Sequence, residues 1–163
     1  MTQIQARPKH LFSWGFDLYV DGEPLAGFDM SWLREGGRFA CDGRQYHVSR
    51  EGLWSGDFLL TADLEVLALA TKESAFARRF VVRTGDREMI LEAAFVFARS
   101  FRLVENGSVV GYVMPDHFFT RACTLEFPSD LSVPVQVFLF WLVALMWRRA
   151  ASAGAAAGSG SAG

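Results

Sequence analysis

At 163 residues the chain suits one domain with a core of useful size. Its composition, 51% hydrophobic and 14% aromatic with 15 Phe and 5 Trp, excludes disorder and requires many rings to be hidden, inside a large cavity or against lipid. A formal net charge of −2 argues against nucleic acid, which needs a basic face to neutralise phosphates, and leaves only a local patch to attract anionic lipid.

The first ten residues contain Arg7, Pro8 and Lys9 and no apolar run, so no secretory signal is read there. Residues 1–11 read as an N-terminal arm. Cys41 and Cys123, the only cysteines, are then expected to be reduced and buried in a cytoplasmic protein.

From Phe12 onward the chain keeps a rhythm of turns. Asp21-Gly22, Asp42-Gly43, Asp63, Gly85-Asp86 and Asn106-Gly107 follow one another at 21, 21, 22 and 21 positions. Asp-Gly and Asn-Gly suit hairpin turns because both central residues must tolerate positive φ. Weaker breaks lie between them, at Glu35-Gly36-Gly37, Glu51-Gly52, Lys72-Glu73-Ser74 and Pro115-Asp116. The segments between breaks alternate as strands do. Trp14, Phe16, Leu18 and Val20 share one face, and Phe28, Met30 and Trp32 share another. Phe76 to Arg79 also fits a short helical turn. About eleven strands fit between Phe12 and Phe127, with one hairpin every twenty residues or so. A four-stranded propeller blade needs a period near forty, so the reading is mainly β: a closed antiparallel barrel of about 11–12 strands in hairpin meander.

Leu131 to Trp147 reads as an apolar helix, within a helical stretch of about 130–149. Asp130 or Ser132 is placed to cap it, Pro134 fits a first turn, and Arg148 and Arg149 fall where they would face the negative end of its dipole. No polar stripe runs along it, so it is enclosed either by protein or by membrane. As a tail anchor its length of about 26 Å is at the short limit for a bilayer. As a barrel plug it matches strands of eight or nine residues, which give a height of roughly 21 Å at a tilt near 40°. The strand pattern favours the plug, with Val137, Phe138, Phe140, Trp141 and Leu145 as its core. Without it, Phe16, Phe28, Phe80 and Phe101 would line a wet cavity. Residues 150–163, rich in Ala, Gly and Ser, read as a flexible tail, which leaves 12–149 as the single barrel domain.

Phe127-Pro128-Ser129-Asp130-Leu131-Ser132-Val133 runs into this helix, and Ala98-Arg99-Ser100-Phe101-Arg102-Leu103 precedes a turn and Val110-Gly111-Tyr112-Val113. Together these phrases resemble the phospholipid scramblase and LURP-one-related families of the tubby C-terminal-like superfamily. The resemblance covers roughly residues 98–147. It implies a twelve-stranded barrel around a buried C-terminal helix, usually without enzymatic activity, and a role at membranes through lipid head groups. In scramblases an acidic segment ahead of the helix is associated with calcium. Asp130 stands there, but Ser132 and Pro134 depart from the pattern, and one carboxylate falls short of the six to eight oxygens calcium takes. No metal and no cofactor are expected.

The sequence carries no catalytic pattern. Cys41/His47 and His117/Cys123 have equal spacing, but the turn at Asp42-Gly43 sets Cys41 opposite about Arg44 rather than His47, which argues against zinc. The pairs Asp63/Glu65 and Asp86/Glu88 sit beside turns, where carboxylates are normally solvated. Asn106-Gly107-Ser108 is formally a glycosylation sequon that a hairpin turn explains. No nucleophile elbow or phosphate loop is present. Arg78, Arg79, Arg83 and Arg87 surround one predicted hairpin and are the candidate anion or lipid head-group patch, against the plain alternative of a solvated arginine face.

The expected function is that of a non-enzymatic, cytoplasmic, membrane-associated barrel that meets lipid head groups or a protein partner. Two alternatives stand beside it. One is a tail-anchored protein presenting a cytoplasmic β-domain; the other is a barrel whose helix leaves room for a small ligand.

Overall fold

The computed structural model describes residues 1–30, 35–52, 56–73, 78–95, 99–117 and 119–158. Trp32, Phe76 and Ala98, named above for a strand face, a helical turn and a family phrase, lie outside them.

Twelve antiparallel strands close into one barrel: β1 (Thr2–Pro8), β2 (Gly15–Val20), β3 (Glu23–Asp29), β4 (Gly37–Cys41), β5 (Arg44–Glu51), β6 (Asp57–Ala62), β7 (Glu65–Thr71), β8 (Arg79–Thr84), β9 (Arg87–Ala93), β10 (Phe101–Glu105), β11 (Ser108–Pro115) and β12 (Cys123–Phe127). Each pairs with its neighbours in sequence, and β1 pairs with β12 to shut the sheet. Closure gives every described strand a neighbour on both sides, so none is an edge strand. The eleven strands expected after Phe12 are β2 to β12. The twelfth corrects the N-terminal arm: Ile4 sits opposite Leu125 and Ala6 opposite Cys123, so residues 2–8 are wall.

The 21-residue rhythm has a geometric cause. β2–β3, β4–β5, β6–β7, β8–β9 and β10–β11 are each joined by two residues, and all five of these turns lie at one end of the barrel. Asp21, Asp42, Asp63 and Asn106 take φ near 50°, and the residue after each is also at positive φ. At the other end the connections are five to seven residues long.

The helix α1 (Val133–Gly158) threads the barrel from the tight-turn end to the long-loop end. Ser132 precedes it, and its carbonyl accepts the first helical bond, from the Gln136 N–H at 3.1 Å. Val137, Phe138, Phe140, Trp141 and Leu145 are completely buried, as are Phe16, Phe58, Phe80 and Phe101 on the wall. Phe140 meets Phe16 edge-on at 5.0 Å and Phe28 at 5.8 Å, while Trp141 meets Phe58 at 5.2 Å. Large wall rings face the helix on β2, β3, β6 and β8, and alanines face it on β7, where Ala68 and Ala70 point inward. The plug reading is therefore the structure: the helix is the core of the barrel.

Two expectations about its end are corrected. The helix continues to Gly158, so 150–158 is not a flexible tail; the alanine-rich sequence extends a helix already nucleated inside the wall. Arg148 and Arg149 consequently lie well inside the helix rather than at its dipole end. Arg149 instead grips Glu35 with two hydrogen bonds of 2.8 and 2.7 Å, and Arg50 joins the same carboxylate at 3.0 Å.

Candidate functional site

The two ends of the barrel offer different chemistry. At the tight-turn end the inner-face position of Arg87 turns its guanidinium across the mouth. It binds Glu105 through two bonds of 2.7 and 2.8 Å and Asp130 at 3.0 Å. The hydrogen bond from Arg87 holds Glu105 below its ordinary value, against partial burial and the neighbouring Asp130 charge. Asp130, the residue implied by resemblance for an acidic segment, is thus a brace beneath the helix start. Phe127 and Leu131 are buried beside it, and the Leu131 N–H donates to the Pro128 carbonyl at 3.1 Å.

The expected arginine patch does not assemble. Strand β8 runs the height of the barrel, which separates Arg78 from the hairpin turn and from Arg87. Arg79 lies on the outer wall against Glu73 and Glu92 at 3.3 and 3.8 Å. Arg83 pairs with Glu88 at 2.7 Å. Arg87 belongs to the opposite mouth. Only Arg78 reaches a site.

That site is at the long-loop end, where α1 leaves the barrel. A groove of about 700 Å³ runs between the loops and the emerging helix. Leu11, Phe12, Trp14 and Phe119 form one side, Trp147, Ala150 and Ala151 the other, and Arg78, Arg99 and Arg121 lie along it. No described residue lining it is acidic. Leu11, Phe12 and Phe119 are 82%, 85% and 94% exposed, a costly arrangement for large apolar side chains in water unless they meet something.

Each arginine is held by an aromatic face. Arg78 lies over Phe101 at 5.2 Å, Arg99 over Trp147 at 5.4 Å and Arg121 over Trp14 at 4.9 Å. Arg99 donates to the Thr120 carbonyl at 2.9 Å, and Arg121 donates to the carbonyls of His10, Leu11 and Ser13. The guanidinia therefore stitch neighbouring loops together. Burial pulls Arg121 below its ordinary value, with the Arg99 charge adding to the effect, and burial alone does the same to Arg78. Both stay cationic, because arginine titrates far above neutrality.

A signal for these residues was present in the sequence. Phe76-Ala77-Arg78, Phe97-Ala98-Arg99 and Phe119-Thr120-Arg121 repeat an aromatic-x-Arg unit at spacings of 21 and 22. The same period that sets the tight turns sets these arginines on three successive loops. The arginines that line the groove therefore belong to the loop half of the repeat, not to its hairpin turns.

The other candidates are dispersed. Cys41 points inward opposite Arg44, while His47 is exposed on the outer face opposite Arg38. Cys123 is buried and His117 exposed. Burial, with Asp42 adding its charge, pushes the Cys41 thiol up to about 11, which makes it unreactive at neutral pH. Among the described residues no group of three or more His, Cys, Asp or Glu is placed to hold a metal ion. Asp63 and Glu65 meet Arg44 at 3.0 and 3.9 Å. The single described helix long and apolar enough to cross a membrane is α1, and 72% of that window is buried inside the barrel. Comparison with family models, with curated proteins and with solved structures finds no match in any of the three.

Proposed function

We propose that this is a non-enzymatic barrel that docks on anionic membrane surfaces from the cytoplasmic side, with its long-loop end toward the lipid. The observation that carries the reading is the coincidence of exposed Leu11, Phe12 and Phe119 with Arg78, Arg99 and Arg121 around one groove whose described lining holds no acidic residue. Apolar side chains at a membrane interface gain by leaving water, and each arginine near an anionic surface adds about 1 kcal/mol. Phe95, 78% exposed, lies in the connection that carries Arg99 and adds a further ring at the same end. The resemblance to scramblase and LURP-one-related barrels supports the same role.

Vesicle flotation tests it. The full chain is expected to float with phosphatidylserine-containing vesicles and not with pure phosphatidylcholine, and to release at high salt. Phe12→Ser/Phe119→Ser changes only exposed side chains and is expected to weaken binding at least tenfold, since about 1.4 kcal/mol is a factor of ten. Equal recovery on neutral and anionic vesicles, or for wild type and double variant, removes the reading.

A second reading, docking of a protein partner, has its own observation. Val81, Ile90, Val104 and Val109 lie side by side on the outer wall from β8 to β11. Ion pairs flank the stripe, Arg83–Glu88 on one side and Arg79–Glu92–Arg102 on the other. An apolar strip inside a charged rim resembles an interface core. If a second copy covers it, sedimentation equilibrium finds a dimer that Val81→Lys/Ile90→Lys dissociates; a monomeric wild type counts against self-association there.

A further inference from the structure

We infer that the groove at the long-loop end binds a single-chain anionic amphiphile, a fatty carboxylate, as a discrete ligand. This deepens the reading of that end as lipid-facing, and it makes a different demand: one molecule in one groove, with no bilayer required.

Three observations carry it. The first is size. A methylene takes roughly the volume of a water in the liquid, about 30 Å³, so a sixteen-carbon chain fills roughly 480 Å³. The groove offers about 700 Å³, which holds one such chain and its head, whereas two chains already exceed it. The second is polarity along its length. Trp14, Trp147, Ala150, Ala151 and the exposed Phe12 and Phe119 present ring and methyl surface, as an alkyl chain requires. The third is charge. Arg78, Arg99 and Arg121 place three cations on that apolar surface with no acidic residue among the described ones lining it, and the Arg99 charge adds to burial in disfavouring the charged form of Arg121. A carboxylate that enters offsets the repulsion between the guanidinia and supplies the counter-charge that the lining lacks. A cationic or neutral amphiphile of equal length does not.

The emerging helix supplies one side of the groove. Ala150 and Ala151 are small and exposed, so this turn of α1 lines the groove without filling it. A larger side chain there occludes the groove from an exposed position without touching the barrel core. That gives a variant whose failure to bind is not a failure to fold.

The test is equilibrium dialysis of the full chain against labelled dodecanoate held below its micelle concentration, with no vesicles present. Saturable one-to-one binding is expected. Dodecyltrimethylammonium, of the same chain length and opposite charge, and hexanoate, of the same head and half the chain, are each expected to bind at least tenfold more weakly. Ala151→Phe is expected to weaken dodecanoate binding at least tenfold with unchanged circular dichroism and unfolding midpoint. Arg78→Gln is expected to lower the preference for dodecanoate over dodecyltrimethylammonium. Absence of saturable dodecanoate binding, equal affinity for the two charges, or undiminished binding by Ala151→Phe overturns the inference. Vesicle flotation reads the docking proposal separately. Flotation without dodecanoate binding leaves the docking surface and removes the ligand, and the reverse pair of results leaves the ligand and removes the docking surface.

Discussion

The two ends of this barrel are built on the same wall and differ in their connections. At one end five two-residue turns and the Arg87–Glu105–Asp130 brace close the mouth beneath the helix start. At the other, connections of five to seven residues carry three arginines and several rings held out in water. A two-residue turn uses both residues to reverse the chain and has none to spare for a site. Longer loops do, which is why binding residues concentrate there on a rigid scaffold. The lesson is that one repeat, of about 21 residues, writes closure into one half of its period and the groove-lining arginines into the other.

The largest effect tests what holds the ends apart. A chain ending at Asp130 lacks α1 and exposes Phe16, Phe28, Phe58, Phe80 and Phe101 to water. It is expected to lose cooperative urea unfolding and to aggregate. A truncation that stays soluble and unfolds cooperatively shows that the helix is dispensable to the wall, and the contrast between ends then loses its structural post. Within the intact chain, Phe140→Ala removes a ring that touches Phe16, Phe28 and Trp147. Its expected cost is about 3–5 kcal/mol in chemical denaturation.

Next in size is Gly111→Ala, nearer the closed end. A Cβ at Gly111 would stand 2.6 Å from the Glu126 carbonyl oxygen and 3.0 Å from the Phe127 ring. The obstacle is backbone of a neighbouring strand, so β11 and β12 must part. A loss of about 1–3 kcal/mol is expected, as for other overpacked sites. An unaffected unfolding midpoint would show that this seam is looser than its spacing.

Much of the fold was legible because its signals are local. Asp-Gly and Asn-Gly at fixed spacing marked the turns, and an all-round apolar stretch beside wall rings marked the plug. β1 was not legible: Thr2–Pro8 has only Ile4 and Ala6 buried, and its role depends on β12, more than a hundred residues away. The helix end was misread because Gly and Ser in 150–158 suggest flexibility, whereas the buried turns before them had already met the cost of nucleation. The candidate site was half legible. Arg78 was named for the wrong partners, and Arg99 and Arg121 were passed over because the loop half of the repeat carries weaker breaks than the turn half.

Acid tests the two ends against each other. Glu105 at the closed end is held low by its hydrogen bond from Arg87, over the opposing effects of burial and Asp130. Glu35 at the loop end feels burial, which raises it, but the hydrogen bond and charge of Arg149 with the charges of Arg50 and Arg148 bring it below its ordinary value of 4.5. A carboxylate depressed in the folded state stabilises above its unfolded pKa and loses that contribution as pH falls through its folded pKa. Stability should therefore be flat from pH 7 to about 5 and fall below about 4.5. Arg87→Gln and Glu35→Gln are each expected to flatten part of that fall. Arg87 and Glu105 are only partly exposed while Asp130 is largely so, and the cost of Arg87→Gln at neutral pH is about 1 kcal/mol. A fall that begins near pH 6 in the wild type would mean a group other than these carboxylates governs it.

The smallest effect is a gain. Of the five tight turns, the one at Asp63-Leu64 holds a branched residue at φ of 73°, where three of the others have glycine second. Leu64 is fully exposed, so its side chain contributes no burial to offset that strain. An L-residue in the left-handed region costs roughly 1–2 kcal/mol, and glycine gives back about 0.5–1 kcal/mol through the freedom it adds to the unfolded chain. Leu64→Gly is thus expected to stabilise by under about 1 kcal/mol, a rise in melting temperature of roughly 2–4 °C at most for a chain of this size. Because the residue lies at the closed end, vesicle and dodecanoate binding should not move. A gain in stability that also alters either binding would mean the two ends communicate along α1, and the division of labour between them would have to be redrawn.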